Sequence, residues 1–300
     1  MPPRIAIPMP HSTDHEYGER AIPQYERAVA LAGGEPVRVA LDQSANEIKK
    51  VLERCDGVLL PGSKADVDPA RFKAARSPHT AAADPRRHAV DDLLLDDAYR
   101  QRKPVLGICY GLQSLNVYRA GSLVQHIPDF LPEETRARVN HEAGRKVAVA
   151  HSVEIDPGSR LANIFSGDSG PRLSGRSELL GPAALESGNR EGHGFGRADT
   201  TPGKDRASAP GGNSLILPVN SSHHQSADVI GTGLRIVGRC PDDGIIEALE
   251  GTAPDHFVIA VQWHPERSVG EDAASRAIFA AFIAAASQRR EKPGWQPTPQ

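Results

Sequence analysis

Cysteine is scarce. Three thiols, Cys55, Cys109 and Cys240, lie far apart in 300 residues, and none belongs to a C-x-x-C pair. An odd, scattered set argues against a disulfide framework and against a cysteine zinc site, and it fits a reducing cytoplasm. Long apolar runs are also absent: no stretch approaches eighteen apolar residues. The opening MPPRIAIPMP holds too short an apolar run for an export signal, so no membrane partner is expected. Neither sign of charge dominates. A formal net charge of −3 and a pI near 6.5 give no electrostatic case for binding nucleic acid or anionic lipid. Apolar residues make up only 39%, low for a compact domain, so part of the chain is expected to stay outside the core.

Regular alternation fills the first 120 residues. Arg4 to Pro8 reads as a strand closed by prolines. Glu19 to Ala32 has helical spacing (Ile22, Tyr25, Val29, Ala32) and stops at Gly33-Gly34. A strand over 36–41, a short helix with Ile48, Val51 and Leu52 on one face, and a buried strand from Gly57 into Pro61-Gly62 follow. Then come a helix over 87–100, a strand over 105–109 and a helix over 112–119. Strand and helix in strict succession, joined by right-handed crossovers, predict an α/β fold with a mostly parallel central sheet and helices on both faces. Residues 147–155, 215–220, 234–239, 245–250 and 257–262 read as further strands, and 273–286 as a closing alanine-rich helix.

One domain is expected over 1–288, broken by an insertion at 167–213. That insertion holds 11 of the 28 glycines and no sustained period of 2 or 3.6, and it reads as solvated and disordered, or else as a lid. Residues 289–300 read as a disordered tail.

The chemistry concentrates where an apolar strand runs into Gly107-Ile108-Cys109-Tyr110-Gly111 and a helical pattern follows. A strand ending in a tight glycine turn with cysteine at its apex is the geometry a nucleophile elbow needs. A free thiol, with a pKa near about 8.5, needs help to ionise at neutral pH. The N-terminus of the following helix and a nearby base would supply it. Val261-Gln262-Trp263-His264-Pro265-Glu266 offers that base: His264 ends a strand, and Glu266 can fix its tautomer. The pattern implies Cys109, His264 and Glu266 as nucleophile, base and orienting acid.

Backbone N–H groups at Gly62, Ser63 and Tyr110 are candidates for an oxyanion hole. In Asn220-Ser221-Ser222-His223-His224-Gln225, adjacent histidines suggest zinc, but neighbouring residues on a strand face opposite ways and no third ligand is apparent. A polar wall against the substrate is the better reading, with Ser221, His223, His224 and Gln225 binding it and Gln113 reaching in from one helical turn past Cys109. The acids of Lys64-Ala65-Asp66-Val67-Asp68-Pro69 lack the remaining positions of a calcium loop, so no metal is expected there. Cys55 and Cys240, without glycine elbows, read as structural.

These pieces resemble the class I glutamine amidotransferase-like hydrolases, and within them the γ-glutamyl-γ-aminobutyrate hydrolase branch, the C26-type peptidases. The resemblance rests on Gly57–Gly62 with Asp66-Val67-Asp68-Pro69, Gly107–Gln113 with Leu115-Asn116-Val117, Val219–Gln225, Asp243–Ala248 and Val261–Glu266. It implies a flavodoxin-like fold and cleavage of a γ-glutamyl amide through a Cys109 thioester with release of glutamate. No cofactor is required, and a small γ-glutamyl compound would be the partner molecule. The same triad would serve a glutaminase that feeds a synthetase, and a catalytically silent binding protein could share the fold. Many relatives carry a basic residue where Tyr110 stands. A homodimer is compatible with the sequence, which does not fix the oligomeric state.

Overall fold

A computed structural model describes residues 1–167 and 214–291. Chain contacts separate Met1–Ser169 with Ser214–Gln300 from Gly170–Asn213; the second unit, and with it all of the expected insertion beyond Gly167, lies outside the described residues.

The predicted alternation is present as β1 (Arg4–Pro8), α1 (His15–Leu31), β2 (Glu35–Val39), α2 (Ala45–Leu52), β3 (Gly57–Leu60), α3 (Pro85–Gln101), β4 (Val105–Ile108) and α4 (Tyr110–Tyr118). After it come β5 (Leu123–Val124), α5 (Ile127–Phe130), α6 (Glu133–Arg136), β6 (His151–Ile155), α7 (Arg160–Phe165), β7 (Leu215–Val219), β8 (Ser226–Ala227), β9 (Leu234–Arg239), β10 (Ile246–Gly251), β11 (Val258–Val261), α8 (Pro265–Ser268) and α9 (Ala273–Glu291).

Nine strands form one sheet in the order β2-β1-β3-β4-β11-β10-β9-β6-β7. From β2 to β11 every pairing is parallel; from β11 to β7 every pairing is antiparallel. The parallel strands are buried on both faces, and their side chains divide between two cores by the period of 2. Ile5, Ile7, Leu59, Leu106, Ile108, Ile259 and Val261 join the core under α1, α7 and α9. Ala6, Val58, Leu60, Val105, Val258 and Ala260 join the core under α2, α3 and α4.

Local chemistry sets the helix ends. Ser44 and Glu47 form a capping box at α2. The Asp14 carboxylate accepts the Tyr17 N–H at 3.0 Å, so α1 starts at His15, four residues before the apolar spacing becomes visible at Glu19.

Two expectations need correction. The strand over 147–155 is confined to His151–Ile155; Val147 and Val149 are exposed and pair with nothing in the sheet. The closing helix does not stop at 286 but runs to Glu291, so 289–291 belong to it and not to a tail. Arg289 Nε donates to the Gln101 carbonyl at 3.0 Å, and Arg290 Nη1 donates to the Met1 and Pro2 carbonyls at 2.9 and 3.1 Å. The rest of the expected tail, 292–300, lies outside the described residues. Among the described residues no helix is long and apolar enough to cross a membrane.

Candidate active site

Cys109 stands between β4 and α4 with φ 54° and ψ −106°. A non-glycine residue there is strained by roughly 1–3 kcal/mol and is held only if its surroundings over-determine it. They do so through two glycines. A Cβ on Gly107 would lie 2.9 Å from the Gly111 backbone, and a Cβ on Gly111 would collide with the Leu60 carbonyl. The elbow therefore packs flat on β3, and the Cys109 side chain is pushed clear of the sheet end. The sulfur remains largely shielded, at 6% residue exposure.

Next to β4 in the sheet, β11 ends at Val261, three residues before the other half of the constellation. His264 caps α8, and its Nδ1 lies 2.7 Å from Glu266 Oε1. The ring and the Cys109 side chain converge on Gly62: a Cβ there would lie 3.2 Å from His264 Cε1 and 3.7 Å from Cys109 Cβ. Burial works against the imidazolium, but Glu266 and the negative charge available at Cys109 more than offset it and hold His264 at about 9. Asn220, at the end of β7, fixes the backbone of this residue from both sides: its Nδ2 donates to the His264 carbonyl at 3.0 Å, and its Oδ1 accepts the His264 N–H at 2.9 Å.

The three backbone donors considered for an oxyanion differ. The Gly62 N–H is already given to the Tyr25 hydroxyl at 3.0 Å. The N–H groups of Ser63 and Tyr110 have no acceptor among the described residues. The Tyr110 ring turns inward. It lies at 1% exposure under the buried Arg87 guanidinium, 4.8 Å from the ring centroid. Arg87 pairs with Asp91 at 2.7 Å and donates to the Pro61 carbonyl at 2.7 Å, which braces the turn before Ser63.

A cleft of about 470 Å³ opens over Cys109. Of the expected residues, Ser63, Tyr110, Gln113, His223, His224 and Gln225 line it, together with Tyr17, Lys64, Asp66, His126 and Glu142, which sequence reasoning did not place there. Ser221 is fully buried and off the cleft wall. Gln113 Nε2 donates to the Gln225 carbonyl at 3.1 Å and to Gln262 Oε1 at 3.3 Å. His224 Nε2 faces Asp66 Oδ1 at 3.0 Å, and Asp68 caps the turn at Ala70, so both acids of the 64–69 loop are engaged by protein groups.

Both ring nitrogens of His223 are engaged, one with the Gln225 carbonyl (2.8 Å) and one with Glu247 Oε1 (3.2 Å). The ring supports the wall from behind and offers the cleft no free nitrogen. Cys55 is buried, which pushes its thiol up to about 12, consistent with a structural role. Cys240 is buried beside His151 and Asp243.

The sequence matches the peptidase C26 family over residues 5–172 and 199–266. The chain belongs to that family. The unmatched residues 173–198 fall within the expected insertion. Among C26-like relatives, the glutamine amidotransferase-like protein RP404 of Rickettsia prowazekii is 28% identical over 267 residues, 87% of each chain. The γ-glutamyl-γ-aminobutyrate hydrolase PuuD of Escherichia coli K12 is 29% identical over 268 residues, 87% of this chain and 84% of that one. In fold, the chain is similar to the glutaminase domain of Trypanosoma brucei CTPS, with a TM-score of 0.51, 19% identity, and coverage of 95% of this chain and 94% of the other. The C26 assignment and the sheet order agree with the class I glutamine amidotransferase-like hydrolase fold that the motifs implied.

Proposed function

We propose that this chain hydrolyses γ-glutamyl amides, with Cys109 as nucleophile, His264 as base and acid, and Glu266 orienting the imidazole. The observation that carries this reading is a cysteine at a strained elbow beside a histidine whose Nδ1 rests on a buried carboxylate. The thiol proton passes to His264, and the thiolate attacks the γ-carbonyl. The tetrahedral oxyanion is met by the N–H groups of Ser63 and Tyr110. Its collapse breaks the C–N bond, the His264 proton leaves with the amine, and a γ-glutamyl thioester remains. Water gives a proton to His264 and attacks the thioester. The sulfur departs, takes the proton back, and glutamate is released.

Similarity to PuuD supports γ-glutamyl-γ-aminobutyrate or a related γ-glutamyl amine as substrate; similarity to the amidotransferase-like RP404 keeps glutamine itself in view. A panel of γ-glutamyl amides and glutamine, assayed for free glutamate, decides between them. The amine conjugates are expected to turn over faster than glutamine, and Cys109→Ala is expected to lower every rate by about 10³-fold or more without loss of fold. Near-parent turnover in Cys109→Ala would overturn the assignment. Glutamine as the sole substrate would favour the ammonia-supplying reading.

A further inference from the structure

Away from the thiol, four buried side chains from four separate segments converge. His141 precedes the turn at Ala143–Arg145, His151 opens β6, His223 follows β7, and Glu247 lies on β10. Their side chains are 3%, 2%, 1% and 0% exposed. Glu247 Oε1 lies 3.0 Å from His141 Nδ1, 3.3 Å from His151 Nε2 and 3.2 Å from His223 Nε2. All four donor atoms fit within 4.8 Å of one another.

The outer nitrogen of each ring fixes the state of the inner one. His141 Nε2 faces Asp243 Oδ2 at 2.7 Å, His151 Nδ1 faces the Ser152 carbonyl at 3.0 Å, and His223 Nδ1 faces the Gln225 carbonyl at 2.8 Å. A carboxylate and two carbonyls only accept, so each outer nitrogen carries the proton. Each inner nitrogen therefore presents a lone pair when its ring is neutral. Facing a carboxylate in a dry interior, that lone pair calls for a cation between them, either a proton on the ring or a metal ion held by all four groups. His141 Nδ1, His151 Nε2 and Glu247 Oε2 find no hydrogen-bond partner, so two of the three inner nitrogens are close to Glu247 without being aligned to bond it.

We propose that His141, His151, His223 and Glu247 form a closed four-ligand site for a divalent transition metal, zinc. Zinc bonds of about 2.0–2.1 Å at tetrahedral angles separate neighbouring ligand atoms by roughly 3.3 Å, close to the spacings between Glu247 and the three rings. Three imidazoles and a carboxylate suit zinc. The outer hydrogen bonds, Asp243 on His141 among them, are what metal-bound histidines need to hold tautomer and ring angle. With four protein ligands and almost no exposure, the ion would act as a cross-link. It would tie the 141–151 segment and β10 to His223, whose neighbour Gln225 lines the cleft. His224, the residue adjacent to His223, faces Asp66 instead, so the sequence run His223-His224 supplies one ligand and the long-range fold supplies the rest.

The test uses the full chain. Metal content is measured after growth in zinc-supplemented medium. The protein is then stripped with a strong chelator and titrated with Co²⁺, followed by Zn²⁺, under absorbance and thermal melting. The expected result is one zinc per chain, one equivalent of Co²⁺ with the intense visible bands of tetrahedral coordination, displacement by one equivalent of Zn²⁺, and a melting temperature that falls on stripping and returns on refilling. His151→Gln should lower Co²⁺ affinity at least about tenfold. His79→Gln, in the exposed group His79, His126 and Asp129, should leave it unchanged. If His151→Gln fails to fold, the wild-type titration decides alone. Stripped wild-type protein that is folded yet gives no cobalt bands and no zinc-dependent melting shift would overturn the site, and so would loss of binding in His79→Gln only. None of these readouts depends on amide hydrolysis.

Discussion

The two halves of the sheet use buried polar groups in different ways. In the parallel half, the proposed catalytic groups sit at the C-terminal ends of three neighbouring strands: the turn after β3, the elbow after β4 and His264 after β11. Each side chain is delivered by a short local motif, and parallel pairing brings the strand ends together. In the antiparallel half, His141, His151, His223 and Glu247 come from positions spread over about a hundred residues, and no two are neighbours in sequence. The first arrangement needs only strand order to form. The second needs register, and so depends on the whole of that half being in place.

The largest effect should come from separating orientation from nucleophilicity in the parallel half. Glu266→Gln removes the charge that does most to favour the imidazolium, and the rate of thioester formation should fall by up to about 10⁴-fold. The pH profile sharpens the point. His264 is held at about 9 against an ordinary value of 6.5, so the protonated form, proposed above to serve the leaving amine, persists through neutrality and is lost as pH rises through about 9. Its contribution to stability has the same sign: complete below about 6.5, fading as pH rises through 9. In Glu266→Gln the alkaline limb should move toward neutral pH. A limb that stays at about 9 in single-turnover measurements would assign it to another group.

A second test asks whether the parallel half also depends on a buried charge network. Arg87→Met leaves Asp91 ionisable and unpaired in the core and frees the Pro61 carbonyl, and should cost about 3–5 kcal/mol in urea unfolding. A loss below about 1 kcal/mol would mean that the pair contributes little and that the braced turn relies on packing. The smallest effect is expected from Tyr25→Phe, which leaves the Gly62 N–H without its acceptor, at about 1–3 kcal/mol of stability. Turnover should change little. A fall of about 10²–10³ would show that Gly62, and not only Ser63 and Tyr110, matters to the developing oxyanion.

The same contrast explains what was legible in the sequence. Strands β1 to β4, their helices and the triad candidates could be read because glycine turns, caps and apolar periods are local signals. Asp14 as the true start of α1 was missed because the exposed first turn carries no apolar spacing. Tyr17 lies in that same unread first turn, while the helical spacing already explained Tyr25 as core, and Arg87, at the start of its helix, carried no signal of the Pro61 carbonyl it would reach. His223 reads as a wall residue because its partners are joined to it only by long-range structure: His141 by a backbone hydrogen bond at 2.9 Å, His151 and Glu247 through the antiparallel strands that carry them. Of those partners, Glu247 alone lay in a quoted motif, Asp243–Ala248, and nothing in that motif marked it as a partner for histidine.

Asn220 joins the two regimes. It closes β7, the outermost strand of the antiparallel half, and grips the peptide of His264 with one donor and one acceptor. Loosening that far edge is therefore expected to release the His264 peptide and detune the proposed reaction, even with the thiol and its cavity intact.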